Sequence, residues 1–242
     1  MKMTAGIFGA VVMAAFGTYY FRNKKRNRKQ GLLCKALATA VPGILLLGYL
    51  YGTCTGESAG SIVSGWADGV TSRAAFAGTL AAIVFYMAAD VLLECRFVWG
   101  AVSFGVGHIC MAAGFLLSGE TVLVWKKSGG CSVDAGLLGL TLAVCAVFVA
   151  AAWAALHRYF HSLKKKKLLY PLLAYVLVLS MMAALAVTAG GVVPAAGGFC
   201  FAVSDVLLGR NRLGKHRSKV RGALVLILYY AAVYLFAMRL WL

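Results

Sequence analysis

Arg22-Asn23-Lys24-Lys25-Arg26-Asn27-Arg28-Lys29 is a basic block with apolar sequence on both sides. The stretch before it, 4–21, and the stretch after it, 32–52, are each near the length that crosses the hydrocarbon core of a bilayer. A secretory signal carries its charge ahead of the apolar run. Here the charge follows, so segment one reads as a retained helix with an outside N-terminus. Short Lys and Arg clusters between spans mark the cytoplasmic side. Six further apolar segments follow, at roughly 73–94, 97–118, 134–157, 168–189, 191–209 and 221–241. Only Gly190–Gly191 separates the sixth from the seventh, which predicts a tight turn there.

The charge distribution tests this division. The first, third, fifth and seventh connections hold 18 of the 24 Lys and Arg: Arg22 to Lys29, Arg96, Arg158 with Lys164–Lys167, and Arg210 to Arg221. The opposite side holds Lys2, Arg73, Lys126, Lys127 and Arg239, and Lys35 lies just inside segment two. Adding or removing one helix would scramble that alternation. The expected fold is therefore all-α: one polytopic bundle over 1–242, with eight transmembrane helices and both termini outside. A bacterial plasma membrane is the expected location. Composition agrees, at 62% hydrophobic with a mean hydropathy of +0.85. The net charge of +17 does not argue for nucleic acid, because its placement follows topology. The basic connections suit anionic lipid headgroups instead.

Seven carboxylates are present, and only two fall inside apolar runs. Glu57, Asp68, Glu120 and Asp134 lie in connections, and Glu94 sits at a segment end. Asp90 and Asp205 each begin an Asp-Val-Leu-Leu sequence that closes an apolar segment. An intramembrane carboxyl is costly, so it faces the protein interior and usually works there. Lys35, His108, Tyr175 and Tyr229 place further polar groups in the same cytoplasmic half. Gly198, Ala202, Asp205 and Gly209 share one helical face, which suits close packing around the second aspartate. The two Asp-Val-Leu-Leu copies lie four helices apart in the same direction. They are compatible with a weak four-plus-four parallel repeat.

Ala89-Asp90-Val91-Leu92-Leu93, then Phe97-x-x-Gly100-Ala101-x-x-Phe104-x-x-Gly107-His108, resembles the paired helix-three and helix-four motif of the lysoplasmalogenase (YhhN-like) membrane family. Gly197-Gly198-x-Cys200-Phe201-x-x-Ser204-Asp205-x-Leu207-Leu208 is similar to that family's helix-seven signature. Lys35 with Pro42, Pro171 with Tyr175, Met181–Met182 and Tyr229-Tyr230-Ala231 match weaker features in order. Ala89, Met111 and Val233 stand where the family usually has glycine, tyrosine and glutamine. The resemblance implies eight helices and hydrolysis of the vinyl ether of a lysophospholipid, releasing a fatty aldehyde and a glycerophospho-base.

The residues suit that chemistry on independent grounds. A vinyl ether is cleaved by protonating its outer alkene carbon, after which water captures the oxocarbenium ion. One carboxylic acid supplies the proton, and a second carboxylate stabilises the cation and activates water. Asp90 and Asp205 are the expected catalytic pair. Lys35, His108, Tyr175, Ser204 and Tyr229 are the expected substrate-binding or supporting groups. Lys35, Arg96, Arg210 and Arg212 could hold a substrate phosphate.

No metal and no cofactor is expected. His157 and His161 have ligand spacing, but Lys164–Lys167 beside them oppose a cation. No phosphate loop, nucleophile elbow or Cys-x-x-Cys pair occurs. Cys54 and Cys131 fall in outside loops, where a disulfide is permitted. The alternative function is a proton-coupled transporter using the same two aspartates. Such a protein needs access from both faces, whereas these polar groups cluster in one half.

Overall fold

The computed structural model describes residues 2–24, 26–55, 70–119, 121–125, 130–165, 167–214 and 218–240. Among them, eight helices are long and apolar enough to cross a membrane. They are α1 (Lys2–Asn23), α2 (Arg28–Thr55), α3 (Val70–Cys95), α4 (Phe97–Leu117), α5 (Ala135–Leu156), α6 (Leu169–Thr188), α7 (Val192–Leu213) and α8 (Lys219–Met238). Each contains most of one of the eight apolar segments. Several run past the apolar limit into charged sequence. Helix α2 already begins at Arg28, and α7 carries Arg210 and Arg212 in its last turn. Lys and Arg are good helix formers, and cations near a helix C-terminus oppose its dipole favourably.

The connections follow local chemistry. Arg96 alone separates α3 from α4, in an extended conformation. Gly190 adopts φ +77 just past the end of α6, the left-handed conformation that glycine takes without penalty. The tight turn at Gly190–Gly191 is thereby present. Asp134 caps α5 by accepting from Leu137 N at 2.9 Å.

One element departs from the all-helical reading. Leu123–Trp125 (β1) pairs antiparallel with Cys131–Val133 (β2), in register Leu123 to Val133. Branched and aromatic side chains favour this short pairing. A second departure follows α5. The helix breaks at Leu156 into a 3-10 turn, His157–Tyr159, before a short helix at Phe160–Lys165. His157 and His161 therefore do not share one continuous α-helix, and His157 Nδ1 faces the Ala154 carbonyl at 2.9 Å.

Helices α2, α3, α4, α6, α7 and α8 pack in that order into a closed ring, with α8 returning to α2. Helix α1 lies outside the ring against α2 and α8, and α5 lies outside against α6 and α7. Split into α1–α4 and α5–α8, the halves correspond. Helix α4 meets α6 as α8 meets α2, and each first helix stands outside its own second. The six ring helices follow the order expected of two parallel four-helix repeats, whereas the outer pair differ: α1 touches α8 of the other half and α5 touches α7 of its own.

Glycine sets the closest approaches. A Cβ on Gly78 of α3 would stand 2.7 Å from the Gly114 Cα of α4, so the two backbones touch there. A Cβ on Gly198 would lie 3.0 Å from the Ala183 carbonyl of α6. With Gly209 packed against Leu156, this is the small-residue face of α7 expected to turn inward. The ring is filled by Tyr86, Phe115, Phe201, Phe236, Met111 and Met182, all fully buried.

Candidate active site

Asp90 lies near the end of α3 at the basic end of the bundle and is 1% exposed. Lys35 reaches it from α2, with Nζ 3.3 Å from Oδ1, and also donates to the Asp90 carbonyl at 3.3 Å. Thr39, one turn along α2, donates to Oδ2. Tyr229 of α8 donates to the same oxygen at 3.0 Å. Both carboxylate oxygens are thus occupied, one by an ammonium and one by two hydroxyls.

Asp205 occupies the corresponding place on α7. Tyr175 of α6 donates to its Oδ2. His108 of α4 is fully buried, with Nε2 3.2 Å from Tyr175 Oη and 3.7 Å from Asp205 Oδ2. Its Nδ1 lies 3.0 Å from the hydroxyl of Tyr86. Because Tyr175 spends its single proton on Asp205, its oxygen accepts from His108 Nε2–H. A neutral His108 then accepts from Tyr86 at Nδ1. The bonds run one way, from Tyr86 through His108 and Tyr175 to Asp205.

The two networks share a plan. Each aspartate accepts from the second helix of its own half and is approached by a side chain from the fourth helix of the other. Thr39 and Tyr229 serve Asp90 as Tyr175 and His108 serve Asp205. They differ in charge and in access. Asp90 has Lys35 and no free oxygen, whereas Asp205 Oδ1 makes no hydrogen bond among the described residues and its side chain is 8% exposed.

No hydrogen bond or ion pair joins the two aspartates. Aromatic rings stand between the networks. Phe201 lies 4.6 Å from the His108 ring and 5.5 Å from the Tyr229 ring. Phe104 touches the same two rings from α4. Gly107 makes room for Tyr86, since a Cβ there would fall 2.5 Å from its ring.

Glu94, which the sequence places at a segment end, is a junction of four helices. It accepts from Tyr20 of α1 at 2.7 Å and lies 3.5 Å from Arg212 of α7 and 4.0 Å from Lys35. Arg28 donates to its carbonyl at 2.7 Å. Glu94 thereby ties α1, α2, α3 and α7 at the basic end. Its signal in the sequence was its spacing of four from Asp90, which puts both on one face. Thr39 carried the same signal relative to Lys35. Tyr86, a polar group in an apolar run, carried a weaker one.

Other expected residues are placed differently. Lys35 and Arg212 are engaged by carboxylates, while Arg96 and Arg210 are exposed. Ser204 is buried and donates to the Val225 carbonyl at 2.9 Å, joining α7 to α8 rather than meeting Asp205. Cys131 is exposed, and the side chain of Cys54 lies outside the described residues.

Eight apolar helices around two buried carboxyl networks define an integral membrane bundle with intramembrane aspartates. Residues 62–240 match the model of the YhhN family, and the chain belongs to that family. The match takes in α3 to α8, hence both aspartates, and leaves out the helix that supplies Lys35 and Thr39. No curated protein and no solved structure matches the chain significantly.

Proposed function

We propose that this YhhN family member hydrolyses the vinyl ether bond of lysoplasmalogens, releasing a fatty aldehyde and a glycerophospho-base. The observation that carries the reading is the difference between two equivalent carboxyls. Asp90 is saturated by Lys35, Thr39 and Tyr229, which suits a fixed anion. Asp205 keeps Oδ1 free beside the Tyr86–His108–Tyr175 chain, which suits a group that gives up a proton and regains one.

Asp205 gives its proton to the outer alkene carbon, and the double-bond electrons form the new C–H bond. The ether oxygen shares the resulting positive charge, and the carboxylates of the site oppose it. Water adds to the adjacent carbon and loses a proton, which reprotonates Asp205. The hemiacetal collapses to the aldehyde and the glycerol hydroxyl. Residues and water balance the reaction without an oxidant or reductant. This two-carboxyl logic parallels glycoside hydrolysis, with Asp90 acting by charge because its oxygens are already bonded. The expected substrate side is the cytoplasmic half, where the basic connections lie.

The test is product analysis. Purified protein incubated with lysoplasmalogen is expected to release aldehyde, and the saturated ether analogue is expected to release none. Cleavage of both, or of neither, counts against the reading. One observation favours a second reading: parallel repeats recur in transporters, so proton-coupled transport uses the same symmetry. Proton uptake by proteoliposomes, driven by a solute gradient and without aldehyde release, identifies that alternative.

A further inference from the structure

Glu94 and Arg212 join helices from opposite sides of the ring. In the order α2, α3, α4, α6, α7, α8, the helices α3 and α7 hold opposite places. Both finish at the basic end of the bundle, and Glu94 and Arg212 each lie in the last turn. Their 3.5 Å contact therefore crosses the mouth of the ring. Asp90 lies four residues before Glu94, on the same face and about 6 Å deeper. Asp205 lies seven residues before Arg212, again on the same face and about 10 Å deeper. The bridge thus stands over both aspartates.

The bridge is loosely made. A guanidinium offers a planar fork of N–H donors. Among the described residues only Nη2 of Arg212 meets Glu94, at the outer limit for a hydrogen bond. The other contact of Arg212 is the ring of Phe97, 5.8 Å from the guanidinium carbon. Glu94 does not depend on Arg212, because the same oxygen, Oε1, accepts from Tyr20 at 2.7 Å and faces Lys35 at 4.0 Å. Both side chains are reachable, 28% exposed for Arg212 and 30% for Glu94. Charge around the bridge is unbalanced. Arg28, Lys35 and Arg212 converge there against Asp90 and Glu94, so positive charge is left over. An arginine held at one point, in a site short of negative charge, is set to exchange its carboxylate for a better anion. A phosphate fills two N–H positions of the fork at once.

We propose that Arg212 binds the phosphate of a lysophospholipid and that Glu94 holds its place until the lipid arrives. The phosphate takes the guanidinium, Glu94 stays with Tyr20 and Lys35, and the mouth opens above Asp205. The group recognised is a glycerol phosphodiester, which lysophospholipids share with soluble glycerophospho-bases. The dimensions of the lipid agree with the site. In an extended alkenyl lysophospholipid the outer alkene carbon lies roughly 9 Å from the phosphorus. The rise from Asp205 to Arg212 is about 10 Å, so a phosphate on Arg212 brings the vinyl ether to the depth of Asp205. The assignment of that lipid as substrate rests on the proposed hydrolase activity; the exchange of anions at Arg212 does not.

The experiment measures binding to the full-length protein in a maltoside detergent, which carries no phosphate. The probes are a 1-O-alkyl lysophospholipid, the matching 1-O-alkylglycerol without phosphate, and glycerophosphocholine without a chain. Arg212→Gln is expected to weaken the lysophospholipid by about tenfold, the loss of a hydrogen bond to a charged group. Arg212→Lys keeps the charge but not the fork, and is expected to fall between that variant and the wild type. Glu94→Gln keeps an acceptor for Tyr20 and removes the competing anion. It is expected to tighten binding by about fivefold, the upper value for a partly exposed ion pair. The alkylglycerol is expected to bind all four proteins alike. Opposite signs at the two positions decide the matter, because a bridge that only ties α3 to α7 is broken by either substitution. Shifts of the same sign, or none, overturn the proposal, as does an alkylglycerol that follows the lysophospholipid. Glycerophosphocholine is expected to show the same signs at lower affinity; equal affinity overturns the lipid as ligand in favour of a soluble phosphodiester. Opposite signs without aldehyde release from lysoplasmalogen overturn the hydrolase reading and leave the phosphate site standing. Aldehyde release with shifts of the same sign does the reverse.

Discussion

Lys35 Nζ lies 3.3 Å from Asp90 Oδ1 and 3.3 Å from the carbonyl oxygen of the same residue, so α2 is fastened to both the side chain and the backbone of α3. Both partners are buried. Removing one member of such a pair leaves an uncompensated charge, at a cost of about 3–5 kcal/mol. Lys35→Met is therefore expected to lower the thermal unfolding temperature in detergent sharply. Asp90→Leu is expected to do the same. The double variant is expected to be more stable than the sum of the single effects, which a double-mutant cycle reads directly. Additive losses would mean that the two groups do not interact as placed.

The same contact separates the two aspartates by experiment. Asp205→Asn keeps size and hydrogen bonding, and no buried cation is left behind. It is expected to stay folded and lose at least about a hundredfold in aldehyde release, the lower range for a general acid. Asp90→Asn removes the partner of Lys35, so it is expected to lose both activity and stability. Combining it with Lys35→Met is expected to restore stability but not activity. Near-native rates in Asp205→Asn would remove the proposed acid.

Much of this was legible in the sequence because a bilayer imposes coarse rules. Helix number follows from apolar length and from the alternation of Lys and Arg. Asp90 and Asp205 were conspicuous because ionisable groups are rare in such runs. What was not legible depends on rotation and crossing of helices. Nothing in the chain order says that α8 bonds Asp90 and that α4 brings His108 beside Asp205, since both contacts connect different halves and the first spans 139 residues. Ser204 adjoins Asp205 in sequence, yet it faces Val225, because adjacent helical positions point about 100° apart. Glu94 looked like a boundary residue because an exposed helix end and a cation cluster read alike in one dimension.

The hydrogen-bond chain gives a further test. The Tyr86 hydroxyl bonds to the site only through His108, so Tyr86 is a positioning residue. Tyr86→Phe is expected to slow aldehyde release by about tenfold, with KM unchanged, because His108 loses the bond that orients its ring and fixes its tautomer. A structural lesion alone would not alter the imidazole nitrogens. Nitrogen-15 spectra of His108 are expected to show the Nε2–H tautomer in the wild type and a mixture in the variant. Identical spectra would place Tyr86 outside the chain.

Topology is open to a direct test. Tags within 22–30 and 160–167 are expected on the cytoplasmic side, and tags at both termini outside. A cytoplasmic N-terminus would move the basic end and Glu94 to the opposite face, and the proposed access from the cytoplasmic leaflet would fall.

Proton transfer to carbon distinguishes acid catalysis from a metal-assisted route. In the proposed step the bond made to the alkene carbon is a C–H bond, and its proton comes from Asp205. Exchange of solvent for heavy water loads that carboxyl with deuterium. Aldehyde release is expected to slow in heavy water, and the aldehyde is expected to carry one deuterium on the carbon next to the carbonyl before any exchange. The groups around Asp205 are a phenol and an imidazole already bonded to one another, an arrangement that orients a proton donor. Activity is accordingly expected to survive prolonged chelator treatment and to show no stimulation by zinc. Chelator-sensitive release restored by zinc would recast His108 and Asp205 as ligands. Aldehyde formed without deuterium at that carbon would exclude protonation of the alkene altogether.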